Sequence, residues 1–168
     1  MKKRFGALLL LTALLFTLMG CGLVVERPEV KEGEFNFSVI YEINGETKTV
    51  SGVYVCEYDG VDQVLDGVDH RVWKGYIKDG TIEEQIKLAT AENGGIVELN
   101  LHFSPEYFMG ESYGDDDEPF SPSITVRLED EEGLSFENDA ALIAEVYGAR
   151  IISYEYDDPI ENSFGIFK

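Results

Sequence analysis

The run Phe35-Asn36-Phe37-Ser38-Val39-Ile40-Tyr41-Glu42-Ile43-Asn44-Gly45-Glu46, continuing to Val53-Tyr54-Val55-Cys56-Glu57, decides the fold. Phe35, Phe37, Val39, Tyr41 and Ile43 recur at every second position and alternate with Asn36, Ser38 and Glu42. A period of two puts one set on one face of an extended chain, so this is a strand with a buried side. Asn44-Gly45 follows, the dipeptide that two-residue hairpins favour because both turn positions need positive φ. The chain then returns through Glu46 to Glu57, which gives an antiparallel pair.

Working outward, Arg71 to Lys78 fits a strand, and Val97, Leu99, Leu101 and Phe103 alternate with Glu98, Asn100 and His102. Ile124 to Glu129 and Arg150 to Tyr156 add two more, the last with Ile152, Tyr154 and Tyr156 on one face. Residues 82–92 carry two signals. Thr81 and Glu84 match a capping box for a helix, whereas Ile86 and Leu88 alternate with Gln85 and Lys87 ahead of Asn93-Gly94-Gly95; the hairpin reading is preferred. Asp139 to Tyr147 is expected to be a short helix, capped by Asn138 and ended by a left-handed Gly148. These elements predict a mainly β fold: an antiparallel two-layer β-sandwich, immunoglobulin-like or a related barrel, with one short helix near 139–147.

Ahead of this domain, Lys2, Lys3 and Arg4 precede an uncharged apolar run from Phe5 to Leu18. The run falls short of the roughly 20 residues a spanning helix needs, and its layout is that of a secretory signal. Leu18-Met19-Gly20-Cys21 resembles the lipobox of bacterial lipoproteins. The resemblance implies removal of residues 1–20 and lipid attachment at Cys21, on the outer face of the cell membrane, with two or more acyl chains giving a stable anchor. Residues 21–34, with Pro28, several charges and no period, read as a tether, and 35–168 as a single domain. The segment Ile151 to Phe164 also resembles the tails of uncharacterised small bacterial lipoproteins, a likeness that brings no activity with it.

Loss of Lys2, Lys3 and Arg4 from 13 basic residues leaves 10 against 33 acidic ones, a net charge of −23 on the mature chain. Phosphate backbones and anionic headgroups repel such a chain, so nucleic acid is not an expected partner and the membrane is reached through lipid alone. With Cys21 committed to lipid, Cys56 is the one cysteine left and no internal disulfide forms. Its acidic surroundings suit a buried thiol better than a nucleophile.

Catalytic motifs are missing. The two histidines are His70, read as part of a polar loop beside Asp69 and Arg71, and His102, at a solvent-facing strand position. No Gly-x-Ser-x-Gly elbow or phosphate-binding glycine loop occurs. The sequence therefore leans away from an enzyme.

Two acidic stretches stand out. Asp59-Gly60-Val61-Asp62 recurs as Asp66-Gly67-Val68-Asp69, which gathers four carboxylates in one connection. Calcium takes six to eight oxygens from loops of this composition, and solvated turns have the same composition. A second cluster, Gly114 to Pro119, lies in the irregular stretch Ser104 to Ser123, where Tyr107, Phe108, Tyr113 and Phe120 would offer a contact surface. Three functions stand on these features: a tethered non-catalytic module binding an envelope or extracellular protein, a calcium-dependent module using Asp59, Asp62, Asp66 and Asp69, and an envelope-polymer hydrolase. The first is preferred.

Overall fold

A computed structural model describes residues 26–63, 69–80, 82–111, 118–130 and 133–165. Strand β1 (Arg27–Pro28) leads into β2 (Glu32–Ile43) and β3 (Glu46–Gln63), which pair antiparallel with Ile43 opposite Glu46. The turn is the expected two-residue one: Asn44 has φ 53° and Gly45 φ 79°, both left-handed. The folded domain starts earlier than the sequence pattern suggests. Residues Glu32 to Glu34 already pair with Val55 to Glu57, ahead of the start expected at residue 35.

Strand β3 pairs next with β4 (Asp69–Ile77). The chain then crosses to a second sheet, made of β5 (Gln85–Thr90), β6 (Ile96–Phe103), β7 (Phe120–Asp130) and β8 (Gly133–Glu137), and returns through β9 (Ala149–Tyr156) to the far side of β2. The result is a β-sandwich of two four-stranded antiparallel sheets, ordered β4-β3-β2-β9 and β5-β6-β7-β8. Residues 85–90 are a strand, as the alternation of Ile86 and Leu88 indicated. Among the described residues, α1 (Pro105–Phe108) and α2 (Ala140–Tyr147) are the α-helical connections. Helix α2 starts one residue later than expected: Asp139, not Asn138, is its cap, with its carboxylate accepting from the amides of Ala141 and Leu142. Gly148 closes it at φ 61°.

The inward faces meet in one apolar core. Phe35, Phe37, Val39, Tyr41 and Ile43 of β2 supply one side, and Val97, Leu99 and Leu101 of β6 with Ile124 and Val126 of β7 supply the other. Aromatic rings knit the centre: Tyr54 stacks on Phe103 at 4.0 Å and Phe103 on Phe120 at 4.6 Å. Cys56 is wholly buried here, as its place between Tyr54 and Tyr58 suggested.

Strand β9 departs from its simple alternation. A bulge opposite Ile40 and Tyr41 skips Ile152, so Ile151 faces Tyr41 while Tyr154 and Tyr156 face Val39 and Phe37. Ile152 is left 49% exposed, and Tyr154, near the open edge, 39% exposed. A bulge adds one residue to one strand and flips the side chains beyond it.

The long strands give the sandwich two distinct ends. Twelve residues of β2 separate them by about 40 Å. At one end, β1 pairs with β10 (Phe164–Gly165), and the Asn162 amide group bonds both the nitrogen and the oxygen of Val30 at 3.0 and 2.8 Å. The β3–β4 hairpin lies at this same end, since Tyr58 donates its amide to Lys31 O at 2.8 Å and Arg71 reaches Glu26 O at 3.1 Å. The opposite end carries the Asn44–Gly45 turn, the β5–β6 turn and the end of α2, joined where Asn44 donates its amide to Gly148 O at 3.0 Å.

Candidate functional site

The end remote from the N-terminal segment is hollow. A cleft of about 290 Å³ opens there between the Asn44 turn, the close of β5 and the last turn of α2. Small residues make the space: Ala89 and Ala91 leave it open on one side and Gly148 on the other. Gly148 is left-handed because the helix must stop and turn into β9, a geometry that glycine reaches without a Cβ penalty. Val97, 1% exposed, forms the floor, and Val146, 59% exposed, and Tyr147 form a wall. Polar groups ring the mouth: Asn44, Thr90, Glu92 and the Tyr147 phenol, which accepts from Asn93 Nδ2 at 3.3 Å. Its volume is at the small end for ligand sites, and its lining is more polar than apolar, where most such sites are the reverse. The lining holds one carboxylate and no histidine, serine or cysteine, so it offers contacts and no paired acid and base.

The surface around the cleft is acidic and partly apolar. Leu142 (41% exposed) and Val146 lie one turn apart on α2. Of the cations on the surrounding strands, Lys48 pairs with Glu46 at 3.4 Å and Arg150 with Glu42 at 3.0 Å, whereas Lys87 of β5 makes no ion pair among the described residues. Among the described residues, Glu92 and Glu145 make no ion pair.

The residues singled out from the sequence fall elsewhere. Asp59 pairs with Lys74 at 2.9 Å. Asp62 and Asp69 are not in a loop: Asp62 lies in β3 opposite His70, and Asp69 opens β4 opposite Gln63. His70 is thus a strand residue. Asp66 lies outside the described residues, as do Cys21 and Tyr113. Phe108 and Phe120 cannot form a contact surface. Both are fully buried, Phe108 4.5 Å from Phe35 and Phe120 5.5 Å from Phe37 in ring centroids. Tyr107 is half-buried. His102 is solvent-facing as read, 3.2 Å from Ser123 Oγ.

Two buried carboxylates have no distinguishing mark in the sequence. Glu111, 6% exposed, binds Arg71 at 2.6 Å and accepts from Trp73 Nε1 at 2.7 Å. Glu98, 5% exposed on the outer face of β6, pairs with Arg127 at 3.1 Å and accepts from Gln85 Nε2 at 3.1 Å. Each has its partners, and each is a structural tie. The cleft residues gave little sequence signal, because alanine, asparagine and glycine in three separate turns show their convergence only once the strands are paired.

Set against protein-family models, curated proteins and solved structures, the chain finds no match.

Proposed function

We propose that the protein is a lipid-anchored, non-catalytic binding module that holds its cleft end away from the outer face of the membrane. The observation that supports this most is the placement of the two ends. The lipobox at Leu18 to Cys21 leaves only residues 21–26 between lipid and the first described backbone, a reach of at most about 20 Å. The domain end that receives this segment is therefore held close to the bilayer, and the cleft end stands about 40 Å further out. Loops at the far end of a rigid sandwich are where such folds bind partners. Mass spectrometry of the membrane form tests the anchor: the chain should start at acylated Cys21, and an uncut or soluble chain would reject it. Cross-linking from position 93 in membranes should retain an envelope or extracellular partner; no adduct under any condition would argue against binding.

The calcium reading has its own test. Thermal unfolding with chelator and then millimolar calcium would show a calcium-selective rise if Asp59, Asp62, Asp66 and Asp69 formed a site, since a ligand bound only by the folded state stabilises it. The Asp59–Lys74 pair already engages one of those carboxylates, which favours the cleft.

A further inference from the structure

Resting on that reading, we infer that the cleft receives a lysine or arginine side chain from a partner polypeptide, with an apolar neighbour of that residue seated on Leu142 and Val146. The shape suits a long amphipathic side chain. Its methylene stem would lie along the exposed Val146 side chain, beside the small side chains of Ala89 and Ala91, and its charged head would reach Glu92 at the mouth. Charge complementarity selects the cation. Glu92 makes no ion pair among the described residues, no basic residue lines the cleft, and of the cations around it Lys48 and Arg150 are held by Glu46 and Glu42 while Lys87 of β5 lies outside the lining. The chain as a whole carries −20, so the field at this end draws positive groups and repels phosphate or carboxylate ligands. The exposed pair Leu142 and Val146 extends the same surface beyond the mouth, which fits a polypeptide better than a lone amine.

The test is an amide-resolved NMR titration of the full-length protein in detergent micelles. The probe is the blocked tripeptide Leu-Lys-Leu, compared with its norleucine analogue, which keeps the stem and lacks the charge, and with N-acetylglucosamine. Saturable shifts centred on Ala91, Glu92 and Gly148 are expected, weakened about tenfold or more by norleucine or by Glu92→Gln. Ala91→Leu, which fills the cleft, should abolish them while distant amides keep their positions. Equal binding of the norleucine peptide, shifts scattered over the acidic sheet faces, or shifts with the sugar alone would overturn the inference. Acylation of Cys21 in the same preparation reports separately on the anchor, so the two readings can fail independently.

Discussion

Trp73 Nε1 donates to Glu111 Oε2 at 2.7 Å, and through that one carboxylate β4 is bound to the segment that follows α1. Arg71 closes the other side at 2.6 Å, reaches Glu26 O, and lies 4.2 Å over the Phe164 ring. Glu26 and Phe164 are thus both tied to one mostly buried ion pair, at the end of the domain nearest the proposed lipid.

Glu111→Gln should therefore be costly. It leaves the Arg71 guanidinium, 19% exposed, without its countercharge, and a loss of about 2–3 kcal/mol is expected from urea unfolding. Residues 26–31 and 157–165 should lose amide-exchange protection before the sheets do. Equal loss across the sandwich would mean that the pair does not act as a local latch.

Gly75→Ala should destabilise for a different reason. A Cβ at Gly75 would collide with the hydroxyl and ring of Tyr54, and that ring cannot swing aside because it stacks on Phe103. Overpacking of this kind costs about 1–3 kcal/mol. An unchanged melting temperature would show that the Tyr54 ring is free to move.

Stability should fall at alkaline pH. Burial, with a smaller contribution from Glu106, raises the Cys56 thiol from 9.0 to about 12, and burial also raises the Tyr54 phenol, helped by Cys56, Glu84 and Glu106. The unfolded thiol loses its proton near 9.0 while the folded one keeps it, so this contribution is complete below pH 9.0 and is lost as pH climbs toward 12. The expected slope is about 1.4 kcal/mol per pH unit for each group. Urea midpoints measured across that range should drop, and Cys56→Ala should flatten the first part of the fall. A pH-independent midpoint would contradict the burial of both groups.

Asp139→Ala removes the cap of α2 and should cost about 1 kcal/mol, whereas Asn138→Ala should cost little. The reverse order, in thermal unfolding of the two variants, would return the cap to Asn138.

Much of this fold is legible because strand periodicity is local. Phe35 to Ile43 announce their buried face, and Asn44-Gly45 sets the register of the first hairpin with no help from the rest of the chain. What escapes is whatever a distant segment decides. The bulge at Ile152 depends on fitting β9 to β2, and Phe108 is buried because the returning C-terminal segment covers it, with Ile160 donating its amide to Phe108 O at 3.0 Å. Glu98 occupies an outward strand position, where a carboxylate reads as solvated; the Arg127 guanidinium and the Gln85 amide both bond it there. The cleft is the extreme case, since Asn44, Ala89, Ala91 and Gly148 carry no chemical signature apart from one another.

The orientation of the sandwich at the membrane can be measured by quenching. Fluorophores placed singly at position 62, in the hairpin beside the N-terminal segment, and at position 93, beside the cleft, can be compared in full-length protein reconstituted in liposomes with a headgroup-attached quencher. Strong quenching at 62 and little at 93 are expected, because about 40 Å of β-sheet separates the two ends. Equal quenching at both positions, or stronger quenching at 93, would contradict that orientation.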